Sequence, residues 1–193
     1  MIKLETERLI LRDYVPEDRE DYIQLKSDPK TMYYLQDIQL HSRQEGEADF
    51  AGVLADAAST ERRFVFLRVE RKDTGEQLGS VGYTVRSRTP LGKLVDAGYF
   101  YLPEFWGRGY GAEAFRRVLE FAFLEDNVYR VTTGCLRENR GSERVMQKCG
   151  MVLEAERPGW EWHDGAMKTR MEYRLLREEF QRGKSFCTEE FSK

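Results

Sequence analysis

The sequence predicts an α+β fold: a mixed, mostly antiparallel sheet flanked by helices. Three observations carry this. Apolar residues switch between alternation and helical spacing in the order β-α-α-β-β-β-α-β-α-β-β. The second and third of these strand-like runs are split by turn chemistry, as hairpin partners are. The stretch from about 94 to 136 runs strand, helix, strand, and is the one place where a parallel crossover is expected. The chain has 193 residues, 40% apolar and 34% charged, which suits one folded domain. That domain is placed at residues 1–180, followed by a polar tail over Gln181–Lys193.

Each element has a local cause. Leu9-Ile10-Leu11-Arg12 reads as a short strand. Pro16-Glu17-Asp18 opens a helix, with proline at the first position and acids in the first turn. Tyr22, Ile23 and Leu25 form its apolar side, and Asp28-Pro29 stops it. Ser42-Arg43-Gln44-Glu45 is a capping box. Behind it, Phe50, Val53, Leu54 and Ala57 recur at helical spacing until Ser59-Thr60. Phe64–Val69 and Leu78–Val85 read as an antiparallel hairpin around the Lys72–Glu76 turn. Thr89-Pro90-Leu91-Gly92 breaks the chain before a strand over Leu94–Tyr101. Phe115, Val118, Leu119 and Ala122 then mark the buried stripe of a helix. A strand over Arg130–Leu136 precedes a short helix from about Asn139 to Lys148, ended by Gly150. Met151–Glu156 and Thr169–Leu175 are the last strands.

Composition excludes several functions. The net charge is −3 with both signs interleaved, so no basic field points to nucleic acid. Three cysteines without a CxxC pair argue against a disulfide framework and a structural zinc site, and place the chain in a reducing cytosol. Two histidines, His41 and His163, form no HExxH pair, so no catalytic metal is expected. No apolar run reaches the roughly 18 residues that span a bilayer.

The chemistry lies in Trp106-Gly107-Arg108-Gly109-Tyr110-Gly111-Ala112-Glu113-Ala114. A strand ends, and a turn with glycines at 107, 109 and 111 opens a helix. Glycine admits unusual backbone angles and close approach of a ligand. The first turn of a helix offers unsatisfied N–H donors at a positive dipole end, so the segment reads as a phosphate site. Arg108 adds a positive charge. The P-loop pattern GxxxxGK[ST] is absent. Gly107-x-Gly109-x-x-Ala112 formally matches the dinucleotide pattern GxGxxA. That motif belongs beside the first strand of a doubly wound parallel sheet, whereas here an antiparallel hairpin precedes it. A glycine-rich turn without a ligand is the plain alternative.

A second constellation follows. Arg137-Glu138-Asn139-Arg140-Gly141-Ser142 opens the helix that ends in Lys148-Cys149-Gly150-Met151. Together with Thr6-Glu7-Arg8-Leu9-Ile10-Leu11-Arg12, Asp96-Ala97-Gly98-Tyr99 and the glycine turn, it resembles the GNAT N-acetyltransferase superfamily. More narrowly, it looks like the branch containing the ribosomal-protein acetyltransferases RimJ and RimL. The resemblance covers about residues 3–180 and implies the GNAT-like acyl-CoA N-acyltransferase fold.

It also implies a reaction: direct attack of an amine on the thioester of acetyl-CoA, with no metal. Backbone groups of Phe100, Tyr101 and Leu102 are expected to align the pantetheine arm like an added strand. The amides from Gly107 through Arg108, Gly109, Tyr110 and Gly111 to Ala112 are expected to hold the pyrophosphate. Asn139 is expected at the pantetheine or thioester, and an ordinary helix cap is its other reading. Many members place a tyrosine acid where this chain has Met146, which cannot donate a proton. Ser142, three residues after the asparagine, is the expected donor to the thiolate. Asp96 is the expected base, acting through a water, with Glu104 read as a solvated loop acid. Cys149 reads as a small buried residue rather than a nucleophile.

Met32-Tyr33-Tyr34-Leu35 reads either as a substrate cleft or as core. Trp160-Glu161-Trp162-His163-Asp164-Gly165 is expected in a loop, as an acceptor wall, a subunit contact, or a hairpin turn with aromatics over the sheet edge. The partners expected are an amine acceptor, a small molecule or a protein N-terminus, with neither nucleic acid nor membrane, in a monomer or homodimer. A non-catalytic acyl-CoA sensor and a nicotinamide-dependent oxidoreductase are the alternatives.

Overall fold

Antiparallel ladders, one parallel crossover and four α-helices realise the predicted order in a computed structural model whose described residues are 1–182. The proposed tail lies almost wholly outside them, and Gln181 and Arg182 end a helical stretch over 177–182. Among the described residues the strands form an eight-stranded mixed sheet in the order β1-β2-β3-β4-β5-β6-β8-β7. Two compact units divide the chain. One comprises Met1–Val85 and Gly98–Val118, and the other Arg86–Ala97 with the chain from Leu119 onward.

In the first unit, β1 (Lys3–Glu5), β2 (Leu9–Arg12), β3 (Phe64–Arg71) and the start of β4 (Gln77–Thr89) pair antiparallel in chain order. The short β1 was not anticipated: three residues carry too little pattern to read. Leu9, Leu11, Leu67, Val69, Leu78 and Val81 of these strands are fully buried, each worth roughly 1.5–3 kcal/mol on burial.

Helix α1 (Arg19–Ser27) follows a 3-10 turn at Pro16–Asp18, and α2 (Arg43–Ala58) packs against it. The Ser42 side chain caps α2 by accepting from the Glu45 amide at 3.2 Å, and Glu45 accepts from the His41 amide at 2.9 Å. Tyr14, Tyr22 and Phe50 interlock as an aromatic cluster. Arg68 is buried yet satisfied, by Asp21 at 2.8 Å, Glu70 at 3.0 Å and Gln77, as a buried charge requires. Met32 is fully buried with Leu25 and Phe100, while Leu35 and Leu102 pack alongside. Of the four residues at 32–35, Met32 and Leu35 therefore serve the core, and Tyr33 is exposed beside Tyr34.

In the second unit, the first part of β5 (Gly92–Tyr101) runs parallel to β6 (Val128–Leu136), with Val95 opposite Val131 and Asp96 opposite Thr132. This is the expected crossover. Helix α3 (Tyr110–Leu124) supplies the connection, and its predicted stripe of Phe115, Val118, Leu119 and Ala122 is buried. Helix α4 (Arg140–Lys148) follows β6, and β7 (Val152–His163) pairs with β8 (Ala166–Leu176) at the end of the sheet order.

Of the readings of Trp160–Gly165, the hairpin turn is the one observed, with Trp160 to His163 in strand rather than loop. Asp164 and Gly165, at φ 51° and 75°, close the hairpin, so β7 continues to His163. The Pro158-Gly159 pair resembles a break in sequence. It is absorbed as a bulge between Arg157 and Glu161, with Gly159 at φ 60°. A proline is tolerated because β7 is an edge strand, where its missing N–H costs no ladder bond.

Candidate functional site

The glycine turn lies in the first unit. At the end of β5, Phe100 and Tyr101 are buried. The Leu102 N–H donates to the Leu78 carbonyl at 2.9 Å. A 3-10 turn at Pro103–Phe105 follows, carrying Glu104 in solvent. The exposed Trp106 folds its indole N–H back onto the Tyr101 carbonyl at 2.7 Å. Gly107 and Gly109 then sit at φ 74° and 83°, in the left-handed region that disfavours side chains. A Cβ at Gly107 would meet nothing within 4 Å, so glycine is needed there for backbone angle rather than for space. Helix α3 begins directly after, with the Glu113 amide bonding to the Gly109 carbonyl.

Residues from the N-terminus hold this turn. Arg8 donates through Nε to Glu113 Oε2 at 2.7 Å, with Nη2 on the same oxygen at 2.6 Å. Glu113 Oε1 accepts from the Thr6 hydroxyl at 2.6 Å and the Arg8 amide at 3.0 Å. Arg8 Nη1 donates to the Arg108 carbonyl at 3.2 Å, and its guanidinium stacks 4.4 Å over the Tyr110 ring. Burial pushes the Glu113 carboxyl up, but the donors from Thr6 and Arg8 outweigh it and hold the carboxyl below its usual range. Thr6, Arg8 and Glu113 all stand within the recognised motifs, yet nothing in sequence tied the first two to the third.

The second unit holds the Asn139 helix. The Asn139 side chain accepts from the Ser142 amide at 3.1 Å, a regular cap for α4. Ser142 is half-buried and hydrogen-bonds the Cys135 thiol, which burial pushes up to about 11. Met146 is fully buried, as core. Asp96 is ion-paired with Arg86 at 2.8 Å and accepts from the Thr132 hydroxyl at 3.4 Å. Cys149 is buried at the end of α4.

A surface cavity of about 460 Å³ opens beside α4, lined by Arg137, Arg140, Glu143, Gln147, Met151 and Tyr173 among others. There the Tyr173 hydroxyl donates to Glu143 at 3.1 Å and accepts from Gln147 at 3.4 Å. Trp160 and Trp162 on β7 are exposed, and Arg157 covers the Trp160 ring at 4.7 Å. Among the described residues, no cluster of three or more metal-ligating side chains exists, and no helix is long and apolar enough to cross a membrane.

The mixed sheet, with a glycine turn inside its one parallel crossover, goes with a family of acyltransferases. The chain belongs to the acetyltransferase (GNAT) domain family, whose model matches residues 8–152. Members of this family use acetyl-CoA. Among relatives, an uncharacterised N-acetyltransferase of Bacillus subtilis, YoaA, is 28% identical over 153 residues, spanning 78% of this chain and 83% of that protein.

Solved structures share the fold. A GNAT-family acetyltransferase from Bacillus anthracis superposes with a TM-score of 0.75 at 21% identity, covering 92% of this chain and 99% of that one. A Vibrio cholerae spermidine N-acetyltransferase, in complex with CoA and spermine, gives 0.79 at 18% identity over 91% and 99%. The ribosomal-protein-S5-alanine acetyltransferase of Vibrio fischeri gives 0.79 at 16% identity over 93% and 99%. The family excludes the oxidoreductase alternative raised by the GxGxxA match.

Proposed function

We propose that the protein transfers the acetyl group of acetyl-CoA to a primary amine, a protein N-terminus or a small-molecule amine, as in the RimJ/RimL-like branch. One observation carries this reading: two left-handed glycines open a fifteen-residue helix a short 3-10 turn after a sheet strand, with an arginine at the turn. The amides from Gly107 to Ala112 are assigned to the diphosphate, and Arg108 to its charge.

The pantetheine arm is assigned to the end of β5. Backbone groups of Phe100, Tyr101 and Leu102 are assigned to it, aligned as an added strand would be. The Leu102 N–H already donates to Leu78 and the Tyr101 carbonyl accepts from Trp106.

The chemistry follows from proton bookkeeping. The amine attacks the thioester carbon, its N–H proton leaves, and the C–S bond breaks to give a thiolate that needs a proton. An α-amine, with pKa near 7.7–8.0, loses its proton far more readily than a lysine-type amine near 10.4. Asp96 is assigned as base through a water, held by Arg86 and Thr132. Asn139 is assigned to the thioester end of the arm. Ser142 is assigned as donor to the thiolate, because the buried Met146 offers no proton.

Thiol release from acetyl-CoA, measured across a panel of peptides with free N-termini, polyamines and amino acids, tests the proposal. Amine-dependent release with an acetylated product is expected. CoA binding without release for any amine would contradict it.

A further inference from the structure

We propose that Arg8 is a positioning residue for acetyl-CoA: held at the turn by the Arg108 carbonyl and the Tyr110 ring, it neutralises Glu113, so that the glycine turn accepts a diphosphate. The inference rests on the assignment of that turn to CoA. Glu113 lies in the first turn of α3, at the helix end where an anion is to dock. A fixed carboxylate there competes for the same dipole and repels a phosphate. Its geometry removes that conflict. Both carboxylate oxygens are taken by the N-terminal segment, Oε1 by the Thr6 hydroxyl and Arg8 amide, and Oε2 by the Arg8 guanidinium.

The same guanidinium is fixed on two further sides: it donates to the Arg108 carbonyl and stacks on Tyr110. These contacts hold it where it cancels the charge of Glu113.

Calorimetric titration with CoA separates charge cancellation from a plain structural latch. Five proteins are compared: wild type, Arg8→Gln, Glu113→Gln, the Arg8→Gln/Glu113→Gln double variant and Arg8→Lys. All the variants lose the Arg8–Glu113 bidentate pair, but only Arg8→Gln leaves a bare carboxylate. The expected result is CoA affinity about tenfold weaker for Arg8→Gln, a change of about 1.4 kcal/mol. Glu113→Gln is expected to bind as tightly as wild type, and the double variant within about threefold of it. Arg8→Lys, which keeps the charge, is expected within about threefold as well.

Unchanged affinity in Arg8→Gln, or equal weakening in all the variants, would overturn the proposal. If Arg8→Gln does not fold, the double variant decides: near-native affinity supports the proposal and lost affinity overturns it. A wild-type protein that binds no CoA contradicts the diphosphate assignment itself.

Discussion

The glycine turn and the head of α4 are both helix N-termini, held by opposite means. At α4, the Asn139 side chain and the Ser142 amide, three residues apart, build the cap between them. At the turn, Gly107 and Gly109 supply the backbone angles, but the charge and hold come from Thr6 and Arg8, more than a hundred residues earlier. The local cap is an affair of one helix end. The strapped turn depends on the N-terminal strands being in place, so cofactor affinity and folding of the first unit should be coupled there and not at α4.

Mutations can break or sharpen this contrast. The largest effect is expected at Ser142. Ser142→Ala should lower turnover about a hundredfold with the KM for acetyl-CoA within about twofold, measured with the acceptor found in the amine panel. Unchanged turnover would remove Ser142 from the proton path. Asn139→Ala should cost about 1 kcal/mol of stability, the usual worth of a helix N-cap, read from denaturant unfolding.

The smallest effect is a pH dependence carried by Glu113. Its carboxyl titrates lower when folded than its ordinary value of 4.5, so protons favour the unfolded chain. Its contribution is complete above that value and is lost as the pH falls through the folded-state pKa. The stability difference between wild type and Glu113→Gln should therefore shrink on acidification below about pH 4.5. A difference that is flat from pH 6 to 3 would show that the strap holds the carboxylate no better than water does.

What the sequence made legible was local. The Ser42 cap, the glycines at 107 and 109, the Asn139 cap and the Gly150 stop each act within a few residues, and all are present; Glu45, expected to close a capping box on the Ser42 amide, accepts from the His41 amide instead. Helical and strand periodicity placed the main elements because burial of one face leaves a trace in the pattern.

Four features escaped for physical reasons. Pro158-Gly159 looks like a break unless one knows that β7 is an edge strand, a fact of topology. Met32 and Tyr33 look equally apolar, and only the surrounding helices decide that the first is buried and the second exposed. Arg8 and Glu113 are ordinary surface charges in sequence, and their pairing across 105 residues exists only once the sheet has formed. Likewise, the buried Arg68 network draws on α1, β3 and β4 at once.

The central claim is that the turn from Trp106 to Ala114 binds the diphosphate of CoA. Calorimetric titration of wild type and Gly109→Val with CoA and with NADH tests it most directly. At φ 83° a valine is strained, and its side chain would stand at the turn against Arg8. The account predicts that wild type binds CoA and not NADH, and that Gly109→Val, folded by circular dichroism, binds neither. Normal CoA binding by the folded variant would contradict it.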